Sequence, residues 1–257
     1  MKPQAIIVIP ARLASTRLPR KMLLAETGKP LIQHTVEAAG RSVLAEQVVV
    51  GTEDPEIAAA VSAFGGKALL MAQHPSGTDR VAEVATHFAH ATIIVNLQGD
   101  EPEIAAADID LAIELLLRHE SVPMATLATP IREQARLDDP ACVKVVCDRS
   151  GKALWFSRSP IPYVRDRSRD WLRHQPPVFL QHLGLYAYRA DFLQQIPHLP
   201  TSDLEQAEGL EQLRILVAGY PIQVATVADA HKGIDSPDDY RRFVERTTGH
   251  HRAGKLA

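Results

Sequence analysis

The stretch AIIVIPARLASTRLPRK, from Ala5 to Lys21, decides the fold. Its first residues, Ala5–Pro10, are apolar and largely β-branched, the composition of a strand buried on both faces. The loop that follows carries Arg12, Arg17, Arg20 and Lys21 with no acidic residue among them, and Ser15 and Thr16 add hydroxyls. A helix is expected to begin near Pro30. In open α/β sheets ligands lie beyond the carboxyl ends of the strands. Guanidinium groups there match phosphate oxygens in pairs, so this loop is placed to hold phosphates. It reads as neither G-x-x-x-x-G-K-[ST] nor G-x-G-x-x-G, which argues against a P-loop kinase and a classical dinucleotide oxidoreductase.

Working outward, Gln47–Thr52 and Thr92–Leu97 repeat the buried-strand pattern. Val81, Val84, Ala85 and Phe88 fall on one face of a helix, as do Ile109, Ala112, Ile113 and Leu116. The alternation predicts an α/β fold with a mainly parallel twisted sheet flanked by helices. The second half is less regular. Ala153–Ser157 and Leu183–Arg189 read as strands, and Pro160–Pro177, rich in Pro, Arg and Asp, reads as a flap between them. One helix is expected over Leu204–Ala218, with Leu210, Leu213 and Val217 on its apolar face. The last helix has Ser236 as its cap, Pro237 in the first position, and Asp238 and Asp239 at the positive end of its dipole. The polar tail after Thr248 is expected to fray. We read 1–257 as a single domain with 155–190 as an excursion from it.

The 257 residues are 46% hydrophobic and 23% charged, the balance of a globular protein. A net charge of −3 argues against a general nucleic-acid binder. Cys142 and Cys147 are spaced for neither a redox pair nor zinc, and read as small buried residues in a reducing compartment. The N-terminal apolar run is too short for a signal peptide, and no stretch approaches the ~20 apolar residues of a membrane span. A cytoplasmic location without membrane insertion is therefore expected.

Gln98-Gly-Asp-Glu-Pro102 follows the strand Thr92–Leu97. Gly99 is expected to allow a sharp turn, leaving Asp100 and Glu101 on the same sheet edge as the basic loop. A carboxylate facing phosphates needs a cation between them, and Mg²⁺ takes one or two carboxylates with phosphate oxygens and water completing its shell. Asp235, ahead of the last helix, is either a residue preceding a cap or a second metal ligand. Spacing alone does not bring it to Asp100.

Several ordered motifs together resemble the 3-deoxy-D-manno-octulosonate (Kdo) cytidylyltransferase family. They are IPARLASTRLPRK (Ile9–Lys21), HPSGTDRVAE (His74–Glu83), VNLQGDEP (Val95–Pro102), KVVCD (Lys144–Asp148), WFSRSPIPY (Trp155–Tyr163), HLGLYAYR (His182–Arg189), LEQLRIL (Leu210–Leu216) and GIDSPDDY (Gly233–Tyr240). The resemblance implies a Rossmann-like nucleotidyltransferase fold in which 155–190 serves dimerisation. It implies the reaction CTP plus Kdo giving CMP-Kdo and pyrophosphate, with Mg²⁺ as cofactor and a homodimer as the assembly. By position it assigns nucleotide contacts to Ala11, Arg12, Ser15, Arg17, Lys21, Arg80 and Gln98. Asp100 and Asp235 fall on metal positions, and with Arg12 and Lys21 make the catalytic set. Arg158, Arg165, His182, Tyr186, Glu211 and Gln212 fall on the sugar-acid side. Read singly, the two arginines are surface residues, His182 and Tyr186 share a strand face in the core, and Glu211 and Gln212 face solvent. Two departures stand out. The family usually has Gly-Lys-Pro where this chain has Arg20-Lys21-Met22, so Arg20 is expected in an ordinary conformation or on a different loop path. Gly209 replaces a Met in the expected helix, at a cost of roughly 1 kcal/mol relative to Ala. The residues around Arg158–Arg165 and Ala207–Gln212 bear on rival acceptors, 8-amino-Kdo or a sialic acid. A sugar-nucleotide sensor without chemistry is the alternative from another class.

Overall fold

The computed structural model describes residues 4–74, 76–166, 168–229 and 233–253. In chain order the first elements are β1 (Ala5–Ala11), α1 (Leu31–Ala39), β2 (Ala45–Thr52), α2 (Pro55–Ala63), β3 (Lys67–Leu70), α3 (Gly77–Thr86) and β4 (Ile93–Leu97). Next come α4 (Ala106–Arg118), β5 (Met124–Pro130), α5 (Gln134–Asp138), β6 (Lys144–Cys147), β7 (Ala153–Ser157) and β8 (Leu180–Arg189). Last are α6 (Ala190–Leu193), α7 (Asp203–Glu208), α8 (Gln212–Val217), β9 (Ile222–Thr226) and α9 (Pro237–Ala253). The fold is α/β, a mostly parallel sheet flanked by helices, as the alternating pattern predicts.

The chain forms two compact units. The first gathers the described residues of Met1–Ala91, Asn96–Ile109 and His231–Ala257. Its strands run in the order β3-β2-β1-β4, with β2 parallel to both β1 and β3. All seven residues of β1 are buried, as expected of an unbroken apolar run. Helix α3 packs closely on β2 because Gly51 has no side chain; a Cβ there would lie 2.6 Å from Val84 Cγ2. Helix α9 starts as its sequence predicts. Ser236 Oγ accepts from Asp239 N at 3.2 Å, and Asp239 Oδ2 accepts from Ser236 N at 3.0 Å, a reciprocal cap. The helix continues past Thr248 to Ala253, which corrects the expected fraying, since backbone hydrogen bonds need no apolar face. Residues 254–257 of that tail, like Lys232, lie outside the described residues.

The second unit gathers the described residues of Thr92–Val95 and Asp110–Ala230. Its strand order is β4-β8-β5-β9, and β6 pairs with β7 and β8. Here β9 runs parallel to β5, while β8 is antiparallel to it and β6 antiparallel to β7. Strand β5 mixes Thr, a good strand former, with Ala, a poor one. Pairing on both edges makes it a strand regardless, a case of context overriding propensity. The flap read at Pro160–Pro177 falls between β7 and β8, where the described residues form neither helix nor strand. The helix expected over Leu204–Ala218 is instead two, α7 and α8. Gly209 ends the first at φ 61°, the left-handed cap that glycine adopts without strain. The predicted cost of an interior glycine is therefore absent, and Val217, expected on the apolar face, is exposed.

Candidate active site

The basic loop is tied down at several points. Leu13 N donates to Asp54 Oδ2 at 2.7 Å, fastening the loop to the end of β2. Leu18 is buried in a cluster with Leu31, Ile234, Tyr240 and Phe243, so one apolar contact joins the loop, α1 and the lead-in to α9. Ala11 closes β1 and is buried, Ser15 is half-buried, and Arg12 and Arg17 are exposed.

Arg20 departs from expectation. It sits at φ 55° and ψ 26°, and no other described non-glycine residue has positive φ. That conformation costs a residue with a Cβ about 1–2 kcal/mol. The loop thus keeps a glycine-like path without the glycine. The Arg20 guanidinium is committed to Glu56 on α2, with Nη2 2.5 Å from Oε2 and Nη1 3.4 Å from Oε1. The next residue, Lys21, turns inward and is 8% exposed.

Lys21 Nζ lies 2.5 Å from Asp100 Oδ2 and 3.4 Å from Asp235 Oδ1. Arg17 Nη2 meets the same Asp235 oxygen at 2.9 Å. The two aspartates that sequence spacing left apart therefore converge on one cation. Backbone bonds explain how: Thr35 Oγ1, fully buried on α1, donates to Gly99 O at 2.8 Å, and Ile234 N donates to Asp100 O at 2.9 Å. Gly99 serves close packing here and not a special turn, because its φ is not positive and a Cβ would lie 3.0 Å from Met22 Sδ. Glu101, beside Asp100, is pushed up to about 8 by burial and then by the charges of Asp100 and Asp235. The charge part of that shift reflects how near Asp100 and Asp235 stand, and Lys21 opposes it. Among the described residues no three metal-ligating side chains converge. Asp100 and Asp235 are hard carboxylate donors, the type Mg²⁺ takes one or two of while phosphate oxygens and water complete its shell.

Arg80 is almost fully buried on α3 and ion-paired with Glu53 at the end of β2. Its Nε is buried without an acceptor among the described residues. Glu53 was not anticipated, although it stands just beyond a strand's carboxyl end, as Asp100 does. Gln98 is half-buried, and among the described residues its side chain reaches Asn96 Oδ1 at a long 3.5 Å from Nε2.

The sugar-side candidates all belong to the second unit. Arg158 is not a free surface side chain. Its Nε, Nη1 and Nη2 donate to the carbonyls of Glu208, Pro140 and Gly209 at 2.6, 3.0 and 3.3 Å. Glu208 also accepts from Ser157 Oγ and Arg158 N, so this acid, missed in the sequence, organises the end of β7. Arg165 is exposed in the β7–β8 connection. His182 is buried beside Phe156 and Tyr186, with ring centroids 5.0 and 5.3 Å away. Thr126 Oγ1 donates to Leu185 O at 2.7 Å and so accepts from His182 Nε2 at 3.0 Å, which places the imidazole proton on Nε2. Burial raises the Tyr186 pKa, and the nearby Glu211 charge adds to the rise. Gln212 is buried where a solvent-facing helix position was the plain reading.

Burial lowers the His182 pKa to about 3. The unfolded chain takes up this proton near pH 6.5 and the folded one does not, so stability falls as pH drops through that window. Between pH 7 and pH 5 the wild type is expected to lose about 2 kcal/mol more than His182→Asn. Denaturant unfolding at the two pH values checks this, and equal losses would refute it.

A family model described as cytidylyltransferase matches residues 6–226. The 3-deoxy-manno-octulosonate cytidylyltransferase of Rhodopirellula baltica is 47% identical over 245 residues, covering 95% of this chain and 98% of that protein. Its counterpart from Polynucleobacter necessarius is 48% identical over 244 residues, covering 93% and 94%. A solved structure of CMP:2-keto-3-deoxy-manno-octonic acid synthetase complexed with CTP matches with a TM-score of 0.88 at 43% identity, covering 96% of this chain and 99% of that one. With its basic loop, its paired aspartates and near-complete coverage by these relatives, the chain belongs to the 3-deoxy-manno-octulosonate cytidylyltransferase family of nucleotidyltransferases.

Proposed function

We propose that this chain transfers the cytidylyl group of CTP to Kdo, releasing pyrophosphate, by direct attack of the sugar's anomeric hydroxyl on the α-phosphorus. The observation that carries the reading is the meeting of Lys21 with Asp100 and Asp235 beside a loop of arginines. Such chemistry needs no protein nucleophile; it depends on positioning and on neutralising charge. Arg12, Ser15, Arg17 and Lys21 contact the triphosphate, with Ala11 at the loop's start. Arg80 and Gln98 contact the cytosine and its surroundings. Asp100 and Asp235 hold Mg²⁺, which when bound neutralises phosphate charge. Arg158, Arg165, His182, Tyr186, Glu211 and Gln212 serve the sugar acid. Because Arg158 is held by three carbonyls, it presents a fixed positive charge toward the sugar carboxylate. The neutral His182 offers Nδ1 as an acceptor for a sugar hydroxyl. The product supplies lipopolysaccharide synthesis, and the enzyme works as a cytoplasmic homodimer.

Pyrophosphate release from CTP with Mg²⁺ tests the reading across Kdo, 8-amino-Kdo and N-acetylneuraminate. Kdo is expected to be turned over fastest, and release with none of the three would sink the proposal. Lys21→Ala is expected to lower kcat/KM for CTP by about 10–100-fold, the value of a charge-assisted hydrogen bond. Unchanged kinetics with CTP would remove Lys21 from the phosphate site.

A further inference from the structure

Arg20 and Glu56 form a pair that the proposed reaction does not use. Arg20 holds the left-handed backbone shape otherwise taken only by glycines among the described residues. Its carbonyl accepts from Leu23 N at 2.9 Å, closing the turn that contains Lys21. Its side chain reaches across to α2, where Glu56 takes the guanidinium with both carboxylate oxygens. Both partners are more than half exposed, so the pair adds little through burial. What it does have is position. A residue with a Cβ returns from the left-handed region to the ordinary ones unless something holds it, and the peptide that would swing is the one leading into Lys21.

We infer that Glu56 is a positioning residue for Lys21, acting through Arg20. The carboxylate fixes the guanidinium, the guanidinium holds the Arg20 backbone left-handed, and that backbone directs Lys21 inward to Asp100 and Asp235. A glycine would need no such hold. The inference rests on the proposed phosphate role of Lys21, and it predicts a dependence that a merely stabilising surface ion pair would lack.

The test is a cycle of wild type, Glu56→Ala, Arg20→Gly and the double variant. CTP affinity is measured by calorimetry, and kcat and KM by pyrophosphate release. Glu56→Ala is expected to weaken CTP binding and to lower kcat/KM about tenfold by misplacing Lys21. Arg20→Gly is expected to stay within about twofold of wild type, and the double variant within about twofold of Arg20→Gly. The inference is overturned if Glu56→Ala is silent, or if it costs the same factor with and without Arg20, since Glu56 would then act at the α2 dipole or on the ligand itself. Lys21→Ala in the same calorimetry separates this from failure of the functional reading. If that variant binds CTP like wild type, the phosphate role of Lys21 falls and the positioning inference falls with it; if it weakens CTP binding while Glu56→Ala stays silent, only the positioning inference falls.

Discussion

Asp100→Asn is expected to lower pyrophosphate release on the order of a thousandfold while leaving the chain folded. The substitution keeps the side chain's shape and removes its charge. Three anchors of the segment survive it: the Thr35 bond to the Gly99 carbonyl, the Ile234 bond to the Asp100 carbonyl, and the packing of Met22 against Gly99. What disappears is the carboxylate 2.5 Å from Lys21 Nζ, one of two that together suit a divalent cation. A single carboxylate, Asp235, remains, and it is already shared with Arg17. The loss should therefore fall on kcat in a Mg²⁺ titration, with CTP binding in the absence of metal largely retained. Turnover above a tenth of wild type at saturating Mg²⁺ would show that Asp100 is not needed to hold the cation.

The second large effect concerns stability. Lys144 is completely buried, and its ammonium donates to the carbonyls of Asp139, Cys142 and Arg158 at 3.0, 2.6 and 2.5 Å. Burial pushes its pKa down, yet three carbonyl acceptors meet all three N–H groups. Lys144→Met fills similar space and leaves those carbonyls without a donor. A cost of about 3–5 kcal/mol is expected, a drop of roughly 10 °C in thermal midpoint for a chain of this size. Because one of the acceptors is the Arg158 carbonyl, the segment following β7 should loosen with it. A loss under about 1 kcal/mol in thermal and denaturant unfolding would mean that water replaces the ammonium at no cost.

Much of the fold was legible because burial leaves a compositional mark. The strands β1, β2 and β4 show as short, mainly apolar and β-branched runs, and the cap of α9 shows as Ser236-Pro237-Asp238-Asp239. The break at Gly209 was not legible. Leu210 and Leu213 continue a helical spacing across it, and both are buried, so periodicity saw one helix where a left-handed residue makes two. Arg20 failed in the opposite direction. Its identity argued for an ordinary backbone, and a partner 36 residues away holds it in an unusual one. The site divides along the same line. Lys21 and Asp100 stood out by residue type at strand ends. Glu53, Glu56, Thr126 and Glu208, the partners of Arg80, Arg20, His182 and Arg158, did not, since an acid or a threonine on its own carries no sign of which neighbour it will orient.

By itself, then, the sequence determined the α/β alternation, the basic loop after the first strand, the acidic turn after β4 and the membership of a family, because each is written in local composition and spacing. The tertiary structure alone decided that Asp100 and Asp235 meet on Lys21, that Arg158 is fixed by backbone carbonyls, and that Arg20 keeps a glycine's conformation. Those outcomes depend on contacts between segments far apart in the chain, and such contacts are set by packing and hydrogen bonding that no local stretch contains.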